Sequence, residues 1–139
     1  MDLLAPAVVE QGDVVPLRLT IRNSGNGPLT LEMGDSAYSF DFVVTGPGGG
    51  ELWSRMHGVE AIPLALRERR LPPGGKIVFI DDWDLRDNRG CPVPAGRYAL
   101  HALLDADTMP HRMLRTPSQR LVVAPRVDAG AGAAKCARR

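Results

Sequence analysis

Carboxylates crowd one short stretch of this chain: Asp81, Asp82, Asp84 and Asp87, with Asn88 beside them. Hard cations take several oxygen ligands from a flexible loop, so cation binding is the chemistry this pattern offers. The spacing departs from an EF-hand loop, which runs Asp-x-Asp-x-Asp-Gly and ends on a bidentate Glu. Asp and Asn also close turns onto their own backbone. That second reading is favoured, with no metal and no cofactor expected.

The three histidines offer little else. His57 follows Met56 at a strand end, and His111 lies in a loop. His101 falls opposite Tyr98 and Leu100 in an alternating run and is expected to face solvent. No Ser sits in a nucleophile-elbow pattern, and neither Cys91 nor Cys136 has a partner at zinc-ligand spacing. Without a nucleophile, a base and an orienting group in recognisable order, the chain is read as not an enzyme. Gly46-Pro47-Gly48-Gly49-Gly50 precedes a strand, so it is a hairpin turn and not a phosphate cradle. Trp53 and Trp83 offer stacking platforms for a sugar, but tryptophans at strand positions more often pack a core.

Binding to another protein remains. Asp105 to Pro117 reads as a polar link between the last two strands that carries Met109, Met113 and Leu114 among prolines. Exposed Met and Leu on such a loop suit a partner's apolar pocket. Folding back over an open end of the domain is the equal alternative. Leu85 and Arg86, in the connection from Trp83 to Tyr98, are the other candidate contacts.

The elements that must hold these residues are strands. Val15, Leu17, Leu19 and Ile21 alternate with Arg18, Thr20 and Arg22; Leu29, Leu31 and Met33 resume the pattern after Ser24-Gly25-Asn26-Gly27-Pro28. The two runs read as a hairpin. Tyr38, Phe40, Phe42 and Val44 share one face, and short strands follow at Leu52 to Met56, Lys76 to Trp83, Gly96 to Leu104 and Arg120 to Val123. Residues 57–70 read as an edge strand or irregular crossover, because Pro63 and the polar Arg67-Glu68-Arg69-Arg70 do not suit a sheet centre. The fold class is all-β, an immunoglobulin-like β-sandwich of roughly seven to nine antiparallel strands. Its expected core is Leu17, Leu19, Ile21, Leu31, Phe40, Phe42, Ile77, Phe79, Tyr98 and Leu100.

Length and charge agree with one such domain. The chain has 139 residues and a formal net charge of +1. A balanced surface of this kind argues against nucleic acid or a membrane surface as partner. Residues 1–124 are read as the sandwich and 125–139, rich in Gly and Ala, as a disordered C-terminal tail. Met1-Asp2-Leu3-Leu4-Ala5-Pro6 lacks the basic start of a signal peptide, so a cytoplasmic location is expected. Export is the alternative if an upstream signal is missing from this chain. The two cysteines suggest no disulfide framework and read as free thiols.

With the strands placed, the chain resembles the BsuPI-type intracellular proteinase inhibitor domain, an immunoglobulin-like module of bacteria. The resemblance rests on Leu17-x-Leu19-x-Ile21-x-Asn23, Leu29-x-Leu31, Phe40-Asp41-Phe42-Val43-Val44, Gly50-Glu51-Leu52-Trp53 with Ser54-Arg55, Leu71-x-Pro73-Gly74, Trp83 and Gly96-x-Tyr98. It implies a non-catalytic, protein-binding function: inhibition of an intracellular subtilisin-like serine protease. No motif of that family fixes the contact residues, so none is carried over. Trp83 to Tyr98 also looks like the immunoglobulin-like domain of flagellar hook-capping proteins, with Leu85 where a Gly is usual. Two other functions remain open at this point. One is an envelope or extracellular interaction module; the other is carbohydrate binding through Trp53 or Trp83.

Overall fold

A computed structural model describes residues 1–33, 40–58, 67–106 and 112–126, and the alternating runs around Val15–Ile21, Phe40–Val44, Ile77–Trp83 and Tyr98–Leu104 are strands that turn one side to a common core. In chain order the strands are β1 (Asp2–Leu4), β2 (Val8–Glu10), β3 (Val15–Arg22), β4 (Leu29–Met33), β5 (Phe40–Thr45), β6 (Glu51–Ser54), β7 (Arg67–Leu71), β8 (Lys76–Trp83), β9 (Gly96–Ala106), β10 (Arg112–Arg115) and β11 (Gln119–Ala124).

One sheet has the order β1-β3-β8. The other runs β2-β11-β9-β5-β6 with β10 also on β9, and β4 pairs with β7 as a separate ladder. The inward residues of all three merge into one core, which includes every position expected from the sequence. Trp83 and Phe42 are the largest side chains wholly inside it. Phe40 on β5 stacks on Phe79 on β8, with ring centroids 4.5 Å apart, so aromatic contact crosses from one sheet to the other.

Three features differ from the sequence reading. The strands among the described residues exceed the expected number, because β1, β2 and β10 are added; β2 joins β11 in parallel, which a purely antiparallel sandwich would not contain. β3 and β4 are not a hairpin: β3 pairs with β1 and β8, and β4 with β7. Asn23 redirects the chain there. Its side-chain amide donates to the carbonyls of Gly27 and Leu71, and its backbone exchanges hydrogen bonds with Gly74 and Gly75. The chain end at β3 is thereby tied to the β7–β8 turn, and β4 departs to pair with β7.

The third difference concerns the expected link from Asp105 to Pro117. Its second half is strand β10, antiparallel to the end of β9, with Arg112 opposite Ala106 and Leu114 opposite Leu104. β10 and β11 lie along the same side of β9, interrupted near Pro117, which has no N–H to donate. Thr116 repairs the break. Its Oγ1 accepts the Ala102 N–H at 2.9 Å and its own N–H donates to the Ala102 carbonyl at 3.0 Å. Residues 59–66, including Pro63, and residues 127–139 of the expected tail lie outside the described residues. Arg126, at the start of that tail, reaches Asp13 at 2.7 Å and Glu10 at 3.4 Å.

Candidate functional site

The connection from Trp83 to Tyr98 carries the chain from one sheet to the other and is built almost entirely from local hydrogen bonds. The Trp83 indole N–H donates to the Arg86 carbonyl at 2.8 Å. Leu85 holds φ at 61°, a left-handed conformation that a branched apolar residue adopts only at a cost. Its side chain is buried in the core, and its carbonyl accepts the Val93 N–H. The Asp87 carboxylate accepts the N–H groups of Arg89 and Cys91, and the Asp87 N–H donates to the Cys91 carbonyl. Tyr98 closes the corner by donating its hydroxyl to the Pro94 carbonyl, the arrangement known as a tyrosine corner in immunoglobulin-like sandwiches.

Asn88 then docks the connection onto β6. Its N–H donates to the Leu52 carbonyl, its Oδ1 accepts the Ser54 N–H, and its amide donates to Glu51 at 3.1 Å. The acidic cluster is thus dispersed. Asp87 closes a turn, Asp81 pairs with Arg55, and Asp84 faces Arg86 at the surface, 3.8 Å away. Among the described residues no group of three or more His, Cys, Asp or Glu side chains could hold a metal ion.

The candidate contacts separate accordingly. Arg86 is exposed and donates to the Gly90 carbonyl. Leu85, expected as a contact, is instead a core residue, buried like Trp83 two positions before it. Leu114 is half-buried and packs against the core from β10, as in the folding-back alternative and not as an exposed contact. Met113 is in register with Asp105 on the same hairpin. Met109 and His111 lie outside the described residues.

Two further readings change. His101 does occupy the outward side of β9, opposite Val43, but it is buried. Its Nδ1 has no hydrogen-bond partner among the described residues. Burial, followed by the nearby Arg115 charge, pushes its pKa below the ordinary histidine value, while Asp41 and Glu51 pull the other way. Ser54, Asp41 and His101 share this face, yet they form no nucleophile relay. The Ser54 hydroxyl donates directly to Asp41 at 2.7 Å, and Val43 stands between Ser54 and His101 in the strand register. Cys91 is buried and disulfide-bonded, where a free thiol was expected; Cys136 lies outside the described residues. Trp83 is fully buried and stacks on half-buried Trp53, with centroids 5.5 Å apart, so it offers no open platform to a sugar.

Among solved structures, the chain is similar to the alkylpurine DNA glycosylase AlkC of Pseudomonas fluorescens, with 17% identity and a TM-score of 0.49. That match covers 88% of this chain but 29% of the other, so the chain spans well under half of that protein. It is similar to the sporulation control protein Spo0M of Bacillus subtilis, at 12% identity and a TM-score of 0.49 over 88% of this chain and 48% of that one. Truncated FlgD from Helicobacter pylori aligns at 16% identity and a TM-score of 0.38, covering 81% and 69% of the two chains. No curated protein matches the sequence. The profile of the BsuPI family, described as intracellular proteinase inhibitor, matches residues 3–109, most of the sandwich. The same strand residues that carried the resemblance fall within that match, and the chain belongs to the BsuPI family of intracellular proteinase inhibitors.

Proposed function

We propose that this chain binds and blocks an intracellular subtilisin-like serine protease and catalyses no reaction itself. The family match over residues 3–109 is the observation that carries the reading. For the contact we favour the β9–β10 hairpin. Ala106 and Arg112 are paired, so the segment from 107 to 111 begins and ends at one place on a sheet. Anchoring both flanks of a contact segment to a sheet lowers the entropy lost on binding. Met113 ranks above Met109 as the inserted side chain, because Pro110 directly after Met109 suits the cleavage subsites of such a protease poorly.

Inhibition constants against a subtilisin-type protease test both levels. A Met109→Ala, Met113→Ala double variant, with Leu114 kept because it packs against the core, is expected to inhibit at least tenfold less well, roughly the loss of one good apolar contact. Unchanged inhibition would remove the hairpin and direct attention to the connection, where Arg86→Ala is the matching variant. Absence of inhibition by the wild type would refute the function itself. One observation favours a second reading, an exported interaction module: the disulfide at Cys91, since such bonds persist mainly in oxidising compartments. Thiol alkylation of the protein in its native cell extract separates the two, because a reduced Cys91 excludes that reading.

A further inference from the structure

The exposed large apolar side chains among the described residues are Leu4, Val8, Val14, Val78 and Ile80. Of these, Leu4, Val78 and Ile80 share the outer face of the β1-β3-β8 sheet. Register places Leu4 opposite Arg18 and Arg18 opposite Ile80, and Val78 follows one step along, opposite Thr20. Leu4 and Ile80 are each 64% exposed, so this is an open face. A hollow of about 460 Å³ opens there, lined by Leu4, Pro6, Pro16, Arg18 and Ile80. Apolar side chains set together in this way mark interaction surfaces, whereas single ones do not.

The charges on this face show what fits it. Arg22 and Lys76 are paired at one end, and Asp82 stands opposite Pro16 at the other. The outward side of β8 therefore reads Lys76, Val78, Ile80, Asp82: cation, apolar, apolar, anion. That order is complementary to its own reverse. If a second copy lies on this face with its strands reversed, Lys76 of one copy stands over Asp82 of the other, and Val78 over Ile80, twice by symmetry. Running the strands the same way would instead stack the Arg22–Lys76 end on itself. A self-complementary patch is what a two-fold interface requires.

We propose that two copies of this chain dock face to face through the outer side of the β1-β3-β8 sheet, with strands antiparallel about a two-fold axis. Strand spacing and rise give this face roughly 15 by 25 Å. That is smaller than the ~800 Å² per partner of a standard interface, so the dimer is a weak, reversible one.

Sedimentation velocity of the full chain from about 1 µM to about 1 mM reads the association directly. The wild type is expected to shift from monomer to dimer across that range. Lys76→Asp and Asp82→Lys alone place like charges together at two symmetric points and should each weaken the dimer roughly tenfold. Combined, they restore the complementary order and should recover wild-type association. Leu4→Glu, on the strand farthest from β8, would stand over Asp2 of the other copy and should also weaken it. An unchanged dimer in Leu4→Glu would mean that β8 meets its copy edge to edge and would overturn the face-to-face proposal. A monomeric wild type throughout, or a double reversal that fails to recover, would do the same. If the wild type is monomeric and Ile80→Glu abolishes protease inhibition, the face belongs to the protease. Unfolding midpoints of all variants, at exposed positions, identify any loss caused by misfolding.

Discussion

Arg55 and Asp81 join the two sheets: the Arg55 Nε stands 2.6 Å from an Asp81 carboxylate oxygen, one residue past β6 on one side and within β8 on the other. The same guanidinium donates to the Phe40 carbonyl at 3.1 Å and lies 3.9 Å from the centre of the Phe40 ring. A planar fork can serve a carboxylate, a carbonyl and an aromatic face together; an ammonium group is a point charge and cannot.

Arg55→Lys keeps the charge and should still lose about 1–3 kcal/mol of stability, the range for charge-assisted hydrogen bonds that are partly shielded from water. Urea unfolding of Arg55→Lys, Asp81→Asn and the double variant measures the coupling between the two positions. Losses that simply add would mean that the pair does not hold the sheets together.

The core was legible because a half-buried strand writes its burial into every second residue. Leu17, Leu19 and Ile21 on β3 needed no knowledge of their partners to be placed inside. Partners were less legible. The bond from the Asn23 side chain to the Leu71 carbonyl, which diverts β4 away from β3, spans 48 residues and leaves no local pattern. β10 was missed because Arg112–Arg115 is short and lies between prolines, while the groups that bind it belong to β9. Leu85 was misplaced because it lies past the end of β8 in an irregular connection, although it continues the inward set one alternation beyond Trp83. His101 illustrates another limit: alternation gave the correct face of β9 but carried no information on whether that face meets water.

Phe42 tests the packing most directly. It is fully buried and meets Phe40 edge to face with centroids 5.5 Å apart. Phe42→Ala should cost about 3–5 kcal/mol, combining lost transfer energy with the cavity left behind. A loss below about 1 kcal/mol in a denaturant titration would mean that the site collapses or that this face is not the core.

His101 makes the fold sensitive to mild acid. Its folded pKa lies below the ordinary value of 6.5 because burial, and then Arg115, disfavour the imidazolium. The unfolded chain therefore binds more protons here than the folded one, and stability rises with pH through this window. The neutral side chain's contribution is complete above about pH 6.5 and declines as pH falls below it, until the folded state also takes up the proton. Asp41 and Glu51 oppose the shift, so the change is partial and not a collapse. Unfolding free energies of the wild type and of His101→Gln, measured from about pH 8 to about pH 5, should diverge in slope, with the wild type the steeper. Carboxylates elsewhere titrate in both proteins, so the difference between the two curves isolates the histidine. Parallel curves would mean that His101 takes up its proton in the folded state as easily as in the unfolded one.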